Sequence, residues 1–224
     1  TLTQLLERRD LPVAQASSAR EAVMAGEVTD SQMAAFLVAL RAKSETVDEI
    51  VGFRDAVLKH AVALPIDPMV LDIVGTGGDP YGAVVNVSSI ASIVAAASGV
   101  PVVKHGNRAA SSASGASDVL GVLGVNLDLE PSEVARVFHE EIGIPTVFNI
   151  LGPLCNPVRP EASAVGVSNL GRVPQVAGVF RTRGATALVY RGDDGIDKMT
   201  TTGHSHVWEV TRGQIYEHDV DSEE

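Results

Sequence analysis

From residue 65 onward, short apolar runs bounded by glycine or proline alternate with segments of helical periodicity. The runs predict strands at 71–74, 101–103, 163–167 and 185–190, and the segments between several of them predict helices at 87–98, 114–123, 131–141 and 172–183. Such alternation is typical of an α/β fold in which helices flank a mainly parallel central sheet. Ligands of such folds usually bind beyond the carboxyl ends of the strands.

The first 63 residues are helical in pattern instead. Thr29–Gln32 and Thr46–Glu49 each match a capping box, in which a hydroxyl and a side chain three residues later satisfy exposed N–H groups at a helix start. Apolar residues recur at helical spacing after each box. We therefore predict a small all-helical domain over residues 1–65 and a larger α/β domain over residues 66–224.

The end of the chain has a hairpin-like pattern. The predicted strands are His206–Val210 and Gln214–Tyr216, joined around Arg212-Gly213. An acidic tail follows from Asp219 to Glu224, and we expect it to be a solvated end.

Composition excludes several classes of protein. The chain has 224 residues, 45% of them hydrophobic, and a formal net charge of -11, so we expect no general affinity for nucleic acid or for anionic membrane surfaces. A single cysteine, Cys155, excludes an intrachain disulfide framework. We find no secretory leader and no apolar run of the ~20 residues that a membrane span needs. The expectation is a cytoplasmic protein.

Two candidate anion sites follow the first predicted strand. Gly75-Thr76-Gly77-Gly78-Asp79 contains three glycines, which let backbone N–H groups approach a pyrophosphate closely. Asn86-Val87-Ser88-Ser89 opens the next predicted helix, where uncapped N–H groups and two hydroxyls favour an anion or a metal ion. Each segment alone is equally consistent with a glycine-rich turn or an ordinary helix start.

A dense polar segment follows the second predicted strand. It reads KHGNRAASS from Lys104 to Ser112 and combines two cations, an imidazole, an amide and two hydroxyls with small residues. Lysine and arginine neutralise phosphates, and the small residues permit close approach. The alternative is a solvated basic loop. In a chain this acidic, the segment favours a phosphate site.

The motifs together resemble the anthranilate phosphoribosyltransferases, which have a nucleoside phosphorylase-like fold. Besides GTGGD, NVSS and KHGNRAASS, the resemblance rests on FNILGPLCNP from Phe148 to Pro157 and DDGID from Asp193 to Asp197, and it covers nearly the whole chain. It implies transfer of the phosphoribosyl group of phosphoribosyl pyrophosphate (PRPP) to the amine of anthranilate in tryptophan biosynthesis. It also implies Mg²⁺, a homodimer joined through the helical domains, and a helical domain that residues 144–160 join in space.

The resemblance assigns roles to individual residues. Lys104, Asn107 and Arg108 match the catalytic positions. The predicted PRPP contacts are Gly75, Gly78, Asp79, Asn86, Val87, Ser88, Ser89, Lys104, His105, Gly106, Asn107, Arg108, Ala109, Ala110, Ser111 and Ser112. Gly75, His105 and Asn107 match positions that face anthranilate, although His105 is about equally consistent with a structural role. Ser88 and Asp197 match metal ligands.

Three departures from the family pattern affect these expectations. Between Glu141 and Pro145 the chain lacks a segment that in the family carries an arginine contacting anthranilate. Lys198 follows Asp197 where the family usually has glutamate, which puts a second metal position in doubt. The family continues beyond the position of Glu224, so we expect an α/β domain that is truncated at its carboxyl end.

Two other functions fit parts of the pattern. A pyrimidine nucleoside phosphorylase of similar architecture also makes or breaks a bond at the ribose carbon, but its basic motif differs from KHGNRAASS. A non-catalytic relative that binds nucleic acid is the other alternative, and the acidic balance of the chain argues against it.

Overall fold

Four helices form the amino-terminal part of the computed structural model, which describes residues 1–61, 69–77, 86–102, 104, 122, 154–157 and 159–222. They are α1 (Leu2–Leu6), α2 (Val13–Met24), α3 (Asp30–Lys43) and α4 (Val47–His60). The chain divides into two compact units: the first comprises Thr1–Ala63 and Pro131–Pro157, and the second comprises Leu64–Glu130 and Val158–Glu224. The predicted helical amino terminus is confirmed, and the predicted boundary at 65 stays a prediction.

Both predicted capping boxes are present. The hydroxyl of Thr29 accepts the backbone N–H of Gln32, and the Gln32 side chain accepts the N–H of Thr29 at 2.9 Å. Thr46 and Glu49 make the same reciprocal pair at the start of α4. The boxes satisfy N–H groups that a helix start would otherwise leave exposed.

The Glu49 carboxylate joins three segments of the helical unit. It is fully buried, and it accepts the N–H groups of Leu11 at 2.9 Å and Thr46 at 2.9 Å and the ammonium of Lys43 at 3.0 Å. Burial lowers the pKa of Lys43, but its hydrogen bonds to Asp10 and Glu49 outweigh burial and raise the pKa above its ordinary value. Glu49 is therefore a structural residue that stabilises the packing of α4 against the chain before α2 and the end of α3.

Close helix packing completes this unit. A Cβ on Gly52 of α4 would lie 2.4 Å from the backbone oxygen of Val13 in α2, so only glycine allows this approach. Phe36 and Phe53 pack edge to face, with ring centroids 5.9 Å apart. The largest fully buried side chains include Leu5, Leu11, Leu37, Leu40, Ile50 and Phe53.

The second unit is built on a five-stranded sheet. Its strands are β1 (Leu71–Gly75), β2 (Ala162–Gly166), β3 (Thr186–Gly192), β4 (His204–Thr211) and β5 (Gln214–Asp221), in that spatial order. The pairings from β1 to β3 are parallel, and those from β3 to β5 are antiparallel. Val102 forms a parallel bridge with Leu71, which places the predicted strand 101–103 beside β1. The predicted α/β class is confirmed, and the described sheet is mixed.

Helices cover this sheet as predicted. They are α5 (Val87–Ala97) and α6 (Val173–Arg183), and a short 3-10 helix, Leu170–Arg172, precedes α6. Gly184 ends α6 in the left-handed conformation with φ 66°. The predicted helices 114–123 and 131–141 lie outside the described residues except for residue 122. No helix in the described ranges is long and apolar enough to cross a membrane.

The hairpin at the end of the chain is longer than predicted. Arg212 and Gly213 have φ of 49° and 73°, the signature of a tight two-residue turn between antiparallel strands. We predicted an acidic tail from Asp219 to Glu224, but β5 includes Asp219 to Asp221, and Asp219 is exposed there as expected. His206 pairs with Asp219 across the two strands at 2.5 Å, which helps hold the acidic residues in the sheet.

Replacing Glu49 tests its structural role. Glu49→Ala leaves buried N–H groups and the Lys43 ammonium without this partner, so we expect the free energy of unfolding to fall by about 3 kcal/mol. The neighbouring Asp48 provides the control, and Asp48→Ala is expected to cost less than about 1 kcal/mol. Urea unfolding followed by circular dichroism measures both, and equal losses would contradict the role given to Glu49.

Candidate active site

The carboxyl end of β1 brings the described site residues together. After Gly75 the chain continues beside β2, where the Thr76 N–H donates to the backbone oxygen of Gly166 at 3.0 Å. Gly77 then adopts φ 70°, a conformation that favours glycine. The loop that begins here is the predicted glycine-rich segment, and Gly78 and Asp79 lie outside the described residues.

The ammonium of Lys104 is held against this strand end. Its Nζ donates to the backbone oxygen of Ile73 at 2.7 Å and to Oγ of Ser88 at 3.3 Å. Burial lowers the pKa of Lys104 below its ordinary value, and the nearby buried Asp72 opposes the shift. A partly desolvated cation is thereby fixed between β1 and α5, where it can attract an anionic ligand.

The amino terminus of α5 forms the adjacent part of the site. Asn86 occupies the N-cap position, but its side chain makes no capping hydrogen bond, so it leaves the N–H groups of Val87 and Ser88 uncapped. Ser89, also a predicted contact, is 1% exposed and points into the unit. The first turn of α5 with Lys104 therefore provides N–H groups, a hydroxyl and an ammonium for a phosphate.

Asp197 lies over the paired carboxyl ends of β1 and β2. Gly75 and Gly166 are directly opposite each other in the strand register. A Cβ on Gly75 would lie 2.4 Å from Oδ2 of Asp197, and one on Gly166 would lie 1.7 Å from its backbone oxygen. The N–H of Gly77 donates to Oδ2 at 2.9 Å. Two glycines at matched positions thus make room for one buried acidic residue.

A hydrogen-bonded turn after β3 positions Asp197 at the carboxyl ends of β1 and β2. The Gly192 N–H donates to the backbone oxygen of Ile196 at 3.2 Å. The Asp194 carboxylate accepts the hydroxyl of Thr200 at 2.8 Å and the N–H of Ile196 at 3.3 Å. Asp194 therefore stabilises this turn.

Two residues that the motifs did not assign also belong to this edge. The Lys198 ammonium forms a very short ion pair with Oδ1 of Asp197. Ser168, just beyond the end of β2, donates its hydroxyl to the backbone oxygen of Gly77 at 2.9 Å, and its own backbone oxygen accepts Arg191 Nε at 2.9 Å. The position of Ser168 after a parallel strand was the one sequence signal that could have singled it out.

The structure describes seven of the predicted site residues. They are Gly75, Asn86, Val87, Ser88, Ser89, Lys104 and Asp197. All belong to the α/β unit, and the contacts above bring Ser88 and Lys104 to one side of the β1 end and Asp197 to the other. The remaining predictions, which lie outside the described residues, are Gly78, Asp79, His105, Gly106, Asn107, Arg108, Ala109, Ala110, Ser111 and Ser112. The roles of all of them stay predictions.

The donor chemistry at this edge fits Mg²⁺ only in part. Mg²⁺ prefers oxygen ligands and often shares them with a substrate's phosphates. The Ser88 hydroxyl is such an oxygen, but both carboxylate oxygens of Asp197 are engaged, by Gly77 and by Lys198. Among the residues that the structure describes, no group of three or more His, Cys, Asp and Glu side chains could hold a metal ion. The described residues thus suit a metal ion that arrives with phosphate oxygens.

Replacing Gly166 tests the close packing of Asp197 against this glycine. In Gly166→Ala the added methyl group would meet the Asp197 backbone, so we expect a loss of about 3 kcal/mol in unfolding free energy and a displaced Asp197. Gly203→Ala is the matched control, because a Cβ there meets nothing within 4 Å, and we expect a change below about 1 kcal/mol. Thermal unfolding of the two variants measures the difference in stability. Similar losses of stability would argue against close packing of Asp197 on Gly166.

Two family models together match nearly the whole chain. A family model described as the helical bundle domain of a glycosyl transferase family matches residues 1–61. A second, described as the a/b domain of a glycosyl transferase family, matches residues 67–141 and 139–224. The match is divided into two ranges near residue 140, where the motifs predicted a missing segment.

The similar proteins carry one name. The anthranilate phosphoribosyltransferase of Leifsonia xyli subsp. xyli is 63% identical over 243 positions, covering 98% of this chain and 69% of that protein. Because 243 positions exceed the 224 residues of this chain, at least 19 positions of that alignment have no counterpart here. This agrees with the predicted missing segment.

Solved structures show the same fold. The crystal structure of anthranilate phosphoribosyltransferase from Thermus thermophilus matches with a TM-score of 0.85 and 37% identity, covering 98% of this chain and 72% of that one. The anthranilate phosphoribosyltransferase from Saccharomyces cerevisiae in complex with PRPP and Mg matches with a TM-score of 0.80 and 29% identity, covering 97% and 71%.

Proposed function

Because the chain belongs to the anthranilate phosphoribosyltransferases of the glycosyl transferase family, we propose that it transfers the phosphoribosyl group of PRPP to the amine of anthranilate. The reaction releases pyrophosphate and is a step of tryptophan biosynthesis. The observation that carries the proposal is the partly buried ammonium of Lys104, held between the end of β1 and Ser88 at the start of α5. That arrangement supports binding of an anionic phosphoribosyl donor.

The reaction depends on neutralising the charge of the departing pyrophosphate, and it needs no strong base to activate the amine. The bond from ribose C1 to the pyrophosphate oxygen breaks, and its electron pair leaves with pyrophosphate while positive charge develops on the ribose ring. The amine nitrogen of anthranilate, which is neutral at pH 7, forms the new bond to C1 and then releases a proton to water. Lys104 and the N–H groups at the start of α5 stabilise the leaving group, and binding orients the amine.

A divalent cation fits this scheme if it binds together with the phosphoribosyl donor, PRPP. Mg²⁺ supplies a hard positive charge for the pyrophosphate oxygens when it is bound. Ser88 is the described residue whose hydroxyl would hold it at this edge, beside Lys104. The predicted catalytic partners Asn107 and Arg108 would complete the phosphate contacts from the KHGNRAASS segment.

We also propose a homodimer joined through the helical unit, in the cytoplasm. The helical unit exposes the large apolar side chains of Leu6 and Val38, at 69% and 50%. Exposed apolar side chains of this size support an interface between subunits. Sedimentation velocity of the protein would give twice the chain mass of 23.4 kDa if the proposal is right.

A fluorescence assay tests the activity. We expect anthranilate fluorescence to disappear when the protein is mixed with anthranilate, PRPP and Mg²⁺, and to persist when PRPP is left out. Replacing PRPP with a pyrimidine nucleoside and phosphate tests the phosphorylase alternative in the same samples, through release of the free base. Persistent anthranilate fluorescence with a folded protein would contradict the proposal.

Lys104 gives a pH-dependent prediction. Its ammonium attracts PRPP only while protonated, and burial places its pKa below the ordinary value of 10.5. We therefore expect PRPP affinity, measured by calorimetry, to be full at neutral pH and to fall as the pH rises through that lowered pKa. Lys104→Ala should weaken binding at pH 7.5 by about 1.5 to 3 kcal/mol.

Lys104→Arg is the matched control for this prediction. Arginine stays protonated throughout the range, so this variant is expected to hold PRPP at alkaline pH where the wild type loses it. The phosphate groups of PRPP are fully ionised above pH 8 and contribute equally to both titrations. A parallel loss of affinity in the two proteins would remove Lys104 as the titrating group.

A further inference from the structure

The Asp197 carboxylate is fully engaged by this chain's own groups. Its Oδ2 accepts the N–H of Gly77 at 2.9 Å, and its Oδ1 pairs with the ammonium of Lys198. The side chains of Asp197 and Lys198 are only 6% and 17% exposed. Water therefore screens the pair much less than it screens a surface ion pair.

Close packing around Asp197 leaves its carboxylate little room to rotate. Gly75 and Gly166 lie so close that a Cβ on either would collide with Asp197. The turn from Gly192 to Thr200 fixes the backbone on the other side through Asp194. A cation that binds Asp197 must therefore displace Lys198 or lie directly beside it, since the carboxylate has little room to turn.

A buried carboxylate needs a counter-charge, and Lys198 already provides it. Burying an ionised carboxylate without a partner costs several kcal/mol. A divalent cation at Oδ1 would have to displace the ammonium or bind directly beside it. Displacement would break the ion pair of a poorly exposed ammonium, and adjacent binding would place charges of +2 and +1 within a few ångströms of each other. Both routes oppose a metal ion at Asp197.

We propose that the ammonium of Lys198 takes the place of a divalent cation at Asp197, so that this carboxylate ligates no metal ion in the native protein. The enzyme would then work with the one Mg²⁺ that arrives with PRPP, a consequence that rests on the proposed function. The replacement at Asp197 itself rests only on the contacts of the pair. Asp197, which the family resemblance assigned as a metal ligand, would thus bind an ammonium in place of a metal ion.

Counting bound Mn²⁺, a paramagnetic substitute for Mg²⁺, tests the proposal. Electron paramagnetic resonance gives the number of ions per chain with and without PRPP and requires no turnover. We expect the same number and affinity for the wild type and Asp197→Asn, because Asp197 is not a ligand. A loss of one ion in Asp197→Asn would overturn the proposal.

Variants of Lys198 test whether metal binding at Asp197 appears when the ammonium is removed. Lys198→Met keeps a long side chain but removes the charge, so we expect one additional Mn²⁺ per chain, or at least about tenfold tighter binding, which the double variant with Asp197→Asn abolishes. Lys198→Arg keeps the charge and is expected to behave as the wild type. Lys59→Met removes an exposed ammonium of the helical unit, 66% exposed, and should leave metal binding unchanged.

The outcomes separate this inference from the proposed reaction. If Lys198→Met is folded by circular dichroism and binds neither a further Mn²⁺ nor Mn²⁺ more tightly than the wild type, the ammonium is not what excludes metal, and the proposal fails. If anthranilate is not consumed, the proposed reaction fails, but the Mn²⁺ counts of wild type, Asp197→Asn and Lys198→Met still decide the inference.

Discussion

The fit of Asp197 over two facing glycines is the constraint on which the described site depends. Strand register places Gly75 opposite Gly166, and neither position can carry a Cβ without meeting Asp197. The space that these glycines leave admits a buried carboxylate, and the carboxylate in turn binds the N–H of Gly77 at the start of the phosphate loop. The same contacts therefore fix the pairing of β1 with β2, the position of the loop after β1 and the charge at the carboxyl ends of these strands.

A second cation completes the electrostatics of the same strand end. Lys104 approaches from the side of α5, and Lys198 from the turn after β3. Lys198 neutralises Asp197, and Lys104 is held by contacts within the protein, so a ligand meets a positive charge that is already in place and needs little reorganisation. In a chain of net charge -11, this local arrangement explains how a phosphate site can exist without a basic surface.

Much of the fold could be predicted because its signals are local. The capping boxes at Thr29 and Thr46 identified the starts of α3 and α4, since the bonds involved join residues three apart. The family resemblance is confirmed for the same reason, because GTGGD, NVSS and KHGNRAASS are short and ordered motifs. The prediction failed where it rested on composition alone: β5 continues through Asp219, which the acidic composition placed in a tail, because pairing with β4 gives its backbone hydrogen-bond partners.

By itself, the sequence determined the helical amino terminus, the α/β class, the phosphate motifs and the family. It also revealed Lys198 beside a predicted metal ligand, but not what the ammonium contacts. Only the tertiary structure decided that Lys198 pairs with Asp197 and that Ser168 supports Gly77 across 91 residues of chain. The physical reason is that strand pairing brings together residues distant in sequence, and burial then makes their charges interact strongly.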